Sequence, residues 1–94
     1  MGKVILQGHI EVSEVELDSV LEELPKHIQL TLNETGCIIF QVQQDADDTC
    51  TFHVYEEFES EDAFKYHQQR VKNSSWGKAA KNVKRFYSVA SEES

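Results

Sequence analysis

CIIFQVQQDADDTCTFHVYEEF, residues 37–58, is the stretch whose reading decides the fold. Residues 37–44 are rich in strand formers and alternate, which sets Ile38, Phe40 and Val42 on one side. Asp45-Ala46-Asp47-Asp48 has the composition of a turn, and residues 49–58 resume the strand pattern. Two strands around so short a polar break predict an antiparallel hairpin. In its second arm Cys50, Phe52, Val54, Glu56 and Phe58 share a face, so one carboxylate is predicted to point into an apolar layer.

Helices flank the hairpin on both sides. Upstream, Leu17, Val20, Leu21, Leu24, Ile28 and Leu32 recur at helical spacing behind Ser13-Glu14-Val15-Glu16, which has the spacing of a capping box. Pro25 is expected to interrupt and bend this helix. Asn33-Glu34-Thr35-Gly36 is expected to end it, with Gly36 in the left-handed geometry. Downstream, Ser60-Glu61-Asp62 opens a helix that carries Ala63, Phe64, His67 and Val71 on one face. Asn73-Ser74-Ser75 breaks the chain, and residues 76–83 read as a short further helix. At the ends lie two more strands. Residues 3–12 alternate, with Val4, Leu6, Gly8, Ile10 and Val12 facing one way and Ile5, Gln7, His9 and Glu11 the other. Residues 84–90 close the pattern, and residues 91–94 read as a disordered tail.

The order βαββαβ is that of a ferredoxin-like α+β unit with a four-stranded antiparallel sheet and helices on one side. Ninety-four residues fit a single domain, here 1–90. The uncovered sheet face would show Ile5, Gln7, His9, Ile39, Gln41, Thr51, His53 and Tyr55. Such a mixture suits a second copy of the same sheet, so a homodimer is expected, with His9 and His53 at its seam.

Composition narrows the partners. A net charge of −8 repels phosphate backbones and anionic lipid, so neither nucleic acid nor membrane is expected as a partner. The late cluster Lys72, Lys78, Lys81, Lys84 and Arg85 reads as a solvated helix face. No run of 18 apolar residues and no secretory pattern at the N-terminus point to a cytoplasmic chain. Cys37 and Cys50, in no close pair, are expected as buried free thiols. The four histidines and two cysteines show no metal-ligand spacing, and no phosphate loop, dinucleotide loop or nucleophile elbow is present. Ser74-Ser75 reads as a helix cap.

Chemistry is expected where the inward Glu56 confronts the inward His67 from the second helix. Burial would raise the glutamate and a charged histidine would oppose that. The pair is either a proton-handling device in a pocket or a structural ion pair. Gly8, a strand glycine on the helix-facing side, would leave space beside them. Trp76 and Phe64 could wall an aromatic ligand, or simply fill the core.

Glu34-Thr35-Gly36-Cys37 leading into a strand, then FHVYEEFESEDAF over residues 52–64, then His67 and Ser74-Ser75-Trp76, resembles the antibiotic biosynthesis monooxygenase (ABM) family and its small quinol monooxygenase-like members. The resemblance spans roughly residues 3–90. It implies a dimeric ferredoxin-like α+β barrel with a pocket in each subunit, and oxidation of a quinol-like or polycyclic aromatic substrate by molecular oxygen with no cofactor. On that resemblance Glu56 or His67 takes the hydroxyl proton, while Phe52, Phe64 and Trp76 line the ring site. The haem-degrading branch fits less well, since this chain has His67 where that branch has tryptophan and Ala79-Ala80-Lys81 where it has a haem-ligating histidine. An isomerase or tautomerase of a small metabolite, or a non-catalytic dimeric binding module, is the alternative on the same fold.

Overall fold

The structure, a computed structural model, describes residues 2–92. Its elements are β1 (Lys3–Glu11), α1 (Glu14–Leu32), β2 (Cys37–Gln44), β3 (Thr51–Phe58), α2 (Glu61–Lys72), α3 (Ser75–Ala79) and β4 (Lys84–Glu92). The strands form one antiparallel sheet in the order β2-β3-β1-β4. This is the ferredoxin-like α+β arrangement read from the sequence.

The predicted hairpin joins β2 to β3. Its turn is held by Asp45, whose Oδ2 accepts from the amides of Asp47 and Asp48 at 3.0 and 2.9 Å, and by Asp48, which accepts from the Cys50 amide and the Thr51 hydroxyl. These are the local side-chain bonds that make aspartate a turn former. The register shifts between Cys37 and Ile39, and Ile38 lies in that irregularity, 50% exposed rather than inward with Phe40 and Val42.

Period-two alternation holds in the two central strands. Val4, Leu6 and Ile10 of β1 and Phe52, Val54, Glu56 and Phe58 of β3 are buried beneath the helices. Of these, Leu6, Ile10, Phe52 and Val54 join Val12, Val20, Trp76, Ala80 and Val83 in one continuous core cluster. At about 25 cal/mol per Å² of apolar surface, the fully buried Phe52 and Phe58 are among the larger contributors to the stability of the fold.

The helix α1 differs from its predicted form in three respects. It passes unbroken through Pro25. That residue is exposed, so the carbonyl that loses its amide partner can turn to water. Its buried side is Val20, His27 and Thr31, while Leu21 and Leu32 are exposed. The inward stripe is therefore partly polar. At its start the Ser13 hydroxyl donates to Glu16 Oε1 at 3.0 Å rather than capping an amide. Glu16 is drawn away by its other oxygen, which accepts from Asn82 at 3.0 Å.

Gly36 has no positive φ; its role is close approach. A Cβ there would sit 2.3 Å from the Ala63 Cβ, so α2 can lie against this loop only if the position lacks a side chain. Ser60 caps α2 by accepting from the Ala63 amide, and Ser74 caps α3 by accepting from Gly77, as expected of both. β4 pairs with β1 out to Lys3↔Glu92, beyond the expected start of the tail at 91. Residues 93–94 lie outside the described residues. Cys37 and Cys50 are free and only partly buried. No helix among the described residues is long and apolar enough to cross a membrane.

Candidate active site

Between the sheet and α2–α3 lies a cavity of about 580 Å³. Leu6, Ile10, Val54 and Val83 give it apolar walls, and Glu56, His67, Trp76 and Tyr87 also line it. A volume of this order suits a small organic ligand.

Glu56 is brought in by the alternation of β3. Its register neighbours on the two adjacent strands are Leu6 and Phe40, so the carboxylate meets hydrocarbon on both sides. Burial, with a contribution from the nearby Glu34, pushes it up from 4.5 to about 8. His67 comes from the inward face of α2 and is 5% exposed. Its Nε2 lies 3.8 Å from Glu56 Oε1, close but beyond a hydrogen bond. Its Nδ1 lies 3.0 Å from Glu34 Oε2. A carboxylate only accepts, so this bond puts the proton on Nδ1 and leaves Nε2 facing Glu56. Burial holds His67 below the usual histidine range, while the bond to Glu34 works against that.

Behind this pair lies a second layer. Arg70 donates from Nε to the same Glu34 oxygen at 2.6 Å and from Nη2 to the Thr31 hydroxyl at 2.9 Å. Thr31 in turn donates to the His27 carbonyl at 2.8 Å. The His27 ring stacks on Trp76 with centroids 4.5 Å apart and planes 5° apart, and meets Phe40 edge-on. Burial, aided by His67 and Arg70, lowers His27 to about 3, so its ring is neutral. Tyr87, inward on β4, lines the cavity although 38% of the residue is exposed. Burial and Glu56 push its hydroxyl up to about 12.

Of the residues singled out from sequence, Glu56, His67, Phe64 and Trp76 meet at this cavity. Gly8 and Phe52 do not line it. The space beside Gly8 is filled by the Phe86 carbonyl, 1.9 Å from where a Cβ would be, and Gly8 has φ 154°. It is a close-approach glycine between β1 and β4. Phe52 is wholly buried in the core beneath the cavity wall. His9 and His53 lie on the opposite sheet face, where His9 stacks on Phe86 at 4.7 Å and His53 Nε2 sits 2.7 Å from Asp45.

Sequence reading gave no role at the site to His27, Glu34, Arg70 and Tyr87, and it placed Arg85 on a solvated helix face, whereas Arg85 lies on β4 and lines the cavity. A signal existed for the first three. Thr31 and Glu34 follow His27 at four and seven residues, extending the line of Val20 and Leu24, and Arg70 follows His67 by three. Among the described residues no three His, Cys, Asp or Glu side chains are grouped to hold a metal ion.

Comparison with known proteins now places the chain. Residues 3–82 match the model of the antibiotic biosynthesis monooxygenase family, and the chain belongs to that family. Its fold is shared by a conserved protein of unknown function from Bacteroides thetaiotaomicron, suggested to be an oxidoreductase (TM-score 0.74, 14% identity, covering 96% of this chain and 97% of that one). It is shared too by a Nitrosomonas europaea protein that carries the provisional name antibiotic biosynthesis monooxygenase (TM-score 0.75, 17% identity, covering 100% and 98%). MupZ from Pseudomonas fluorescens is similar over 95% of this chain and 68% of its own (TM-score 0.73, 17% identity). No curated protein matches the sequence.

Proposed function

We propose that this chain is a cofactor-independent monooxygenase that oxidises a quinol-like or polycyclic hydroxyaromatic substrate with molecular oxygen. The observation that carries the reading is the pairing of Glu56 and His67 beside the apolar residues Leu6, Val54 and Trp76 on the wall of the cavity. At neutral pH Glu56 holds its proton and His67 does not. A substrate hydroxyl set between them would donate to His67 Nε2 and accept from the Glu56 carboxyl. His67 is then the base, and Glu34 stabilises the imidazolium through Nδ1–H.

The electrons come from the substrate. Deprotonation makes the conjugated ring carbon electron-rich. That carbon forms a bond to oxygen, giving a hydroperoxide. Loss of its C–H proton and cleavage of O–O then leave a carbonyl and release water. The ring gives up four electrons and oxygen accepts four, so no external reductant is required. The protein's part is to bind, deprotonate and keep water from the anion.

Oxygen uptake on a panel of hydroquinones and hydroxynaphthalenes tests this. His67→Ala should lose about a hundredfold or more in kcat and Glu56→Gln less, following the usual worth of general-base catalysis. Equal uptake by both variants and the parent would discard the roles. The same acid and base, both uncharged at neutral pH, also suit an enolising isomerase; turnover without oxygen would select that reading. We further propose a homodimer formed by the outer sheet face, where Ile5, His9 and Phe86 lie together. A monomeric mass by light scattering at micromolar concentration would remove it.

A further inference from the structure

We propose that the ligand of the cavity is an amphipathic anion: an aromatic body bearing an acidic group, with the acidic group held at the end of the cavity formed by Lys72, Lys78, Lys81 and Arg85. This rests on the reading of the cavity as the substrate site, and narrows the class of substrate that enters it.

The inference starts from charge. The chain has 17 acids and nine Lys and Arg residues. Four of those nine line this one cavity, against a single carboxyl on its wall, Glu56. On a surface dominated by acids, such a concentration of positive charge produces a local field that attracts anions and repels cations. The four come from separate elements: Lys72 from the end of α2, Lys78 from α3, Lys81 from the turn after it, and Arg85 from the inward side of β4. Helix periodicity alone therefore does not group them; the fold does. Lys84, the fifth member of the basic run, pairs in register with Glu11 on the outer sheet face and does not line the cavity.

These cations are not used internally. Among the described residues, none of the four forms an ion pair with an acid, in contrast to Arg70 on Glu34. Arg85 is held in place by the carbonyls of Ala80 and Val83, at 3.1 and 3.5 Å, which fixes a guanidinium at the cavity without neutralising it. The other three are exposed at the rim. The floor is apolar, with Leu6, Ile10, Val54 and Trp76. Arg85 stands in register with Ile10 and Glu56 with Leu6, so the guanidinium and the carboxyl are set four residues apart along β1, room for a ring between an anion and the Glu56–His67 pair.

Isothermal calorimetry with ligands that share one ring system separates the parts of this claim. 2-Naphthoate, 2-naphthalenesulfonate and 2-naphthyl phosphate are compared with neutral 2-naphthalenemethanol, and the order among the three anions shows which acidic group the site prefers. We expect at least one anion to bind about tenfold or more tighter than the neutral alcohol, and that advantage to shrink in high salt. Lys78→Gln/Lys81→Gln, changed at exposed positions and checked for an unaltered melting temperature, should reduce the advantage severalfold while leaving binding of the alcohol unchanged. Equal affinity of anions and alcohol, an advantage undiminished in the double variant, or no saturable binding of any anion overturns the proposal. Oxygen uptake reports separately. Anion binding without uptake on any hydroxyaromatic removes the monooxygenase reading and leaves the anion site, whereas uptake on neutral quinols without anion preference does the reverse.

Discussion

Glu34 holds the site together at the scale of single residues. One of its oxygens accepts from both His67 and Arg70, and its side chain is 5% exposed. The negative charge raises the affinity of its neighbours for protons: it opposes the lowering of His67 and adds to the raising of Glu56. Glu34→Gln keeps the shape and an oxygen acceptor but removes the charge. Both His67 and Glu56 should therefore titrate at lower pH in the variant, although one is a base and the other an acid. Heteronuclear NMR of the His67 ring and the Glu56 carboxyl measures this directly. Shifts in opposite directions, or none, would show that Glu34 acts only as packing. Because the group touches His67 and lies off the cavity wall, its role is positioning, and a loss of kcat with KM unchanged is the kinetic form of the same prediction.

Among elements, the decisive contact is the one between Gly36 and Ala63, where the loop before β2 meets the first turn of α2. It sets how far α2 stands from Glu34, and so the 3.0 Å bond to His67. Gly36→Ala should cost roughly 1–3 kcal/mol by forcing two methyl groups together. Adding Ala63→Gly should restore most of that loss, and urea unfolding of the four proteins of the cycle reads the coupling. Additive costs would mean that the approach is not what the glycine provides. The elements themselves were legible in the sequence because β1, β3 and α2 have one apolar side each, and alternation or helical spacing marks it. The inward side of α1 was not. Its buried positions include His27 and Thr31, whereas Leu21 and Leu32 are exposed, so hydrophobicity alone turned the helix the wrong way. Polar groups become inward when other polar groups wait for them, and a sequence does not display that partner. Glu56 was visible because it interrupts an apolar face; Glu34 was not, because at a helix end an acid needs no explanation. Gly8 was assigned space that the Phe86 carbonyl occupies, since a missing side chain looks the same from sequence whether it leaves a void or admits a neighbouring strand.

For the whole molecule, the buried titratable groups limit the pH range of stability from both sides. His27, lowered to about 3, binds a proton more readily when unfolded; stability from this group falls as pH drops below about 6.5. Glu56, raised from 4.5 to about 8, does the opposite. Between those values the folded state keeps a proton that the unfolded state has lost, so stability falls by up to about 1.4 kcal/mol per pH unit as pH rises, and levels off above 8. Glu56→Gln removes this dependence. It should be close to the parent near pH 4.5 and increasingly more stable towards pH 8, as thermal unfolding across that range would show. A constant difference between the two proteins would mean that Glu56 ionises in the fold as it does in water.

Much of the cavity wall comes from two stretches of chain. β3 and α2 bring Glu56 and His67, while residues 75–85 bring Trp76, Lys78, Lys81, Val83 and Arg85. That second stretch is short and contiguous, and it is packed into the core through Trp76, Ala80 and Val83. Exchanging that segment would replace three of the four cations proposed to hold an anion, Lys72 being the fourth, and would leave Glu56 and His67 in place. The proposed preference for anions is thus encoded largely in eleven consecutive residues, apart in sequence from Glu56 and His67.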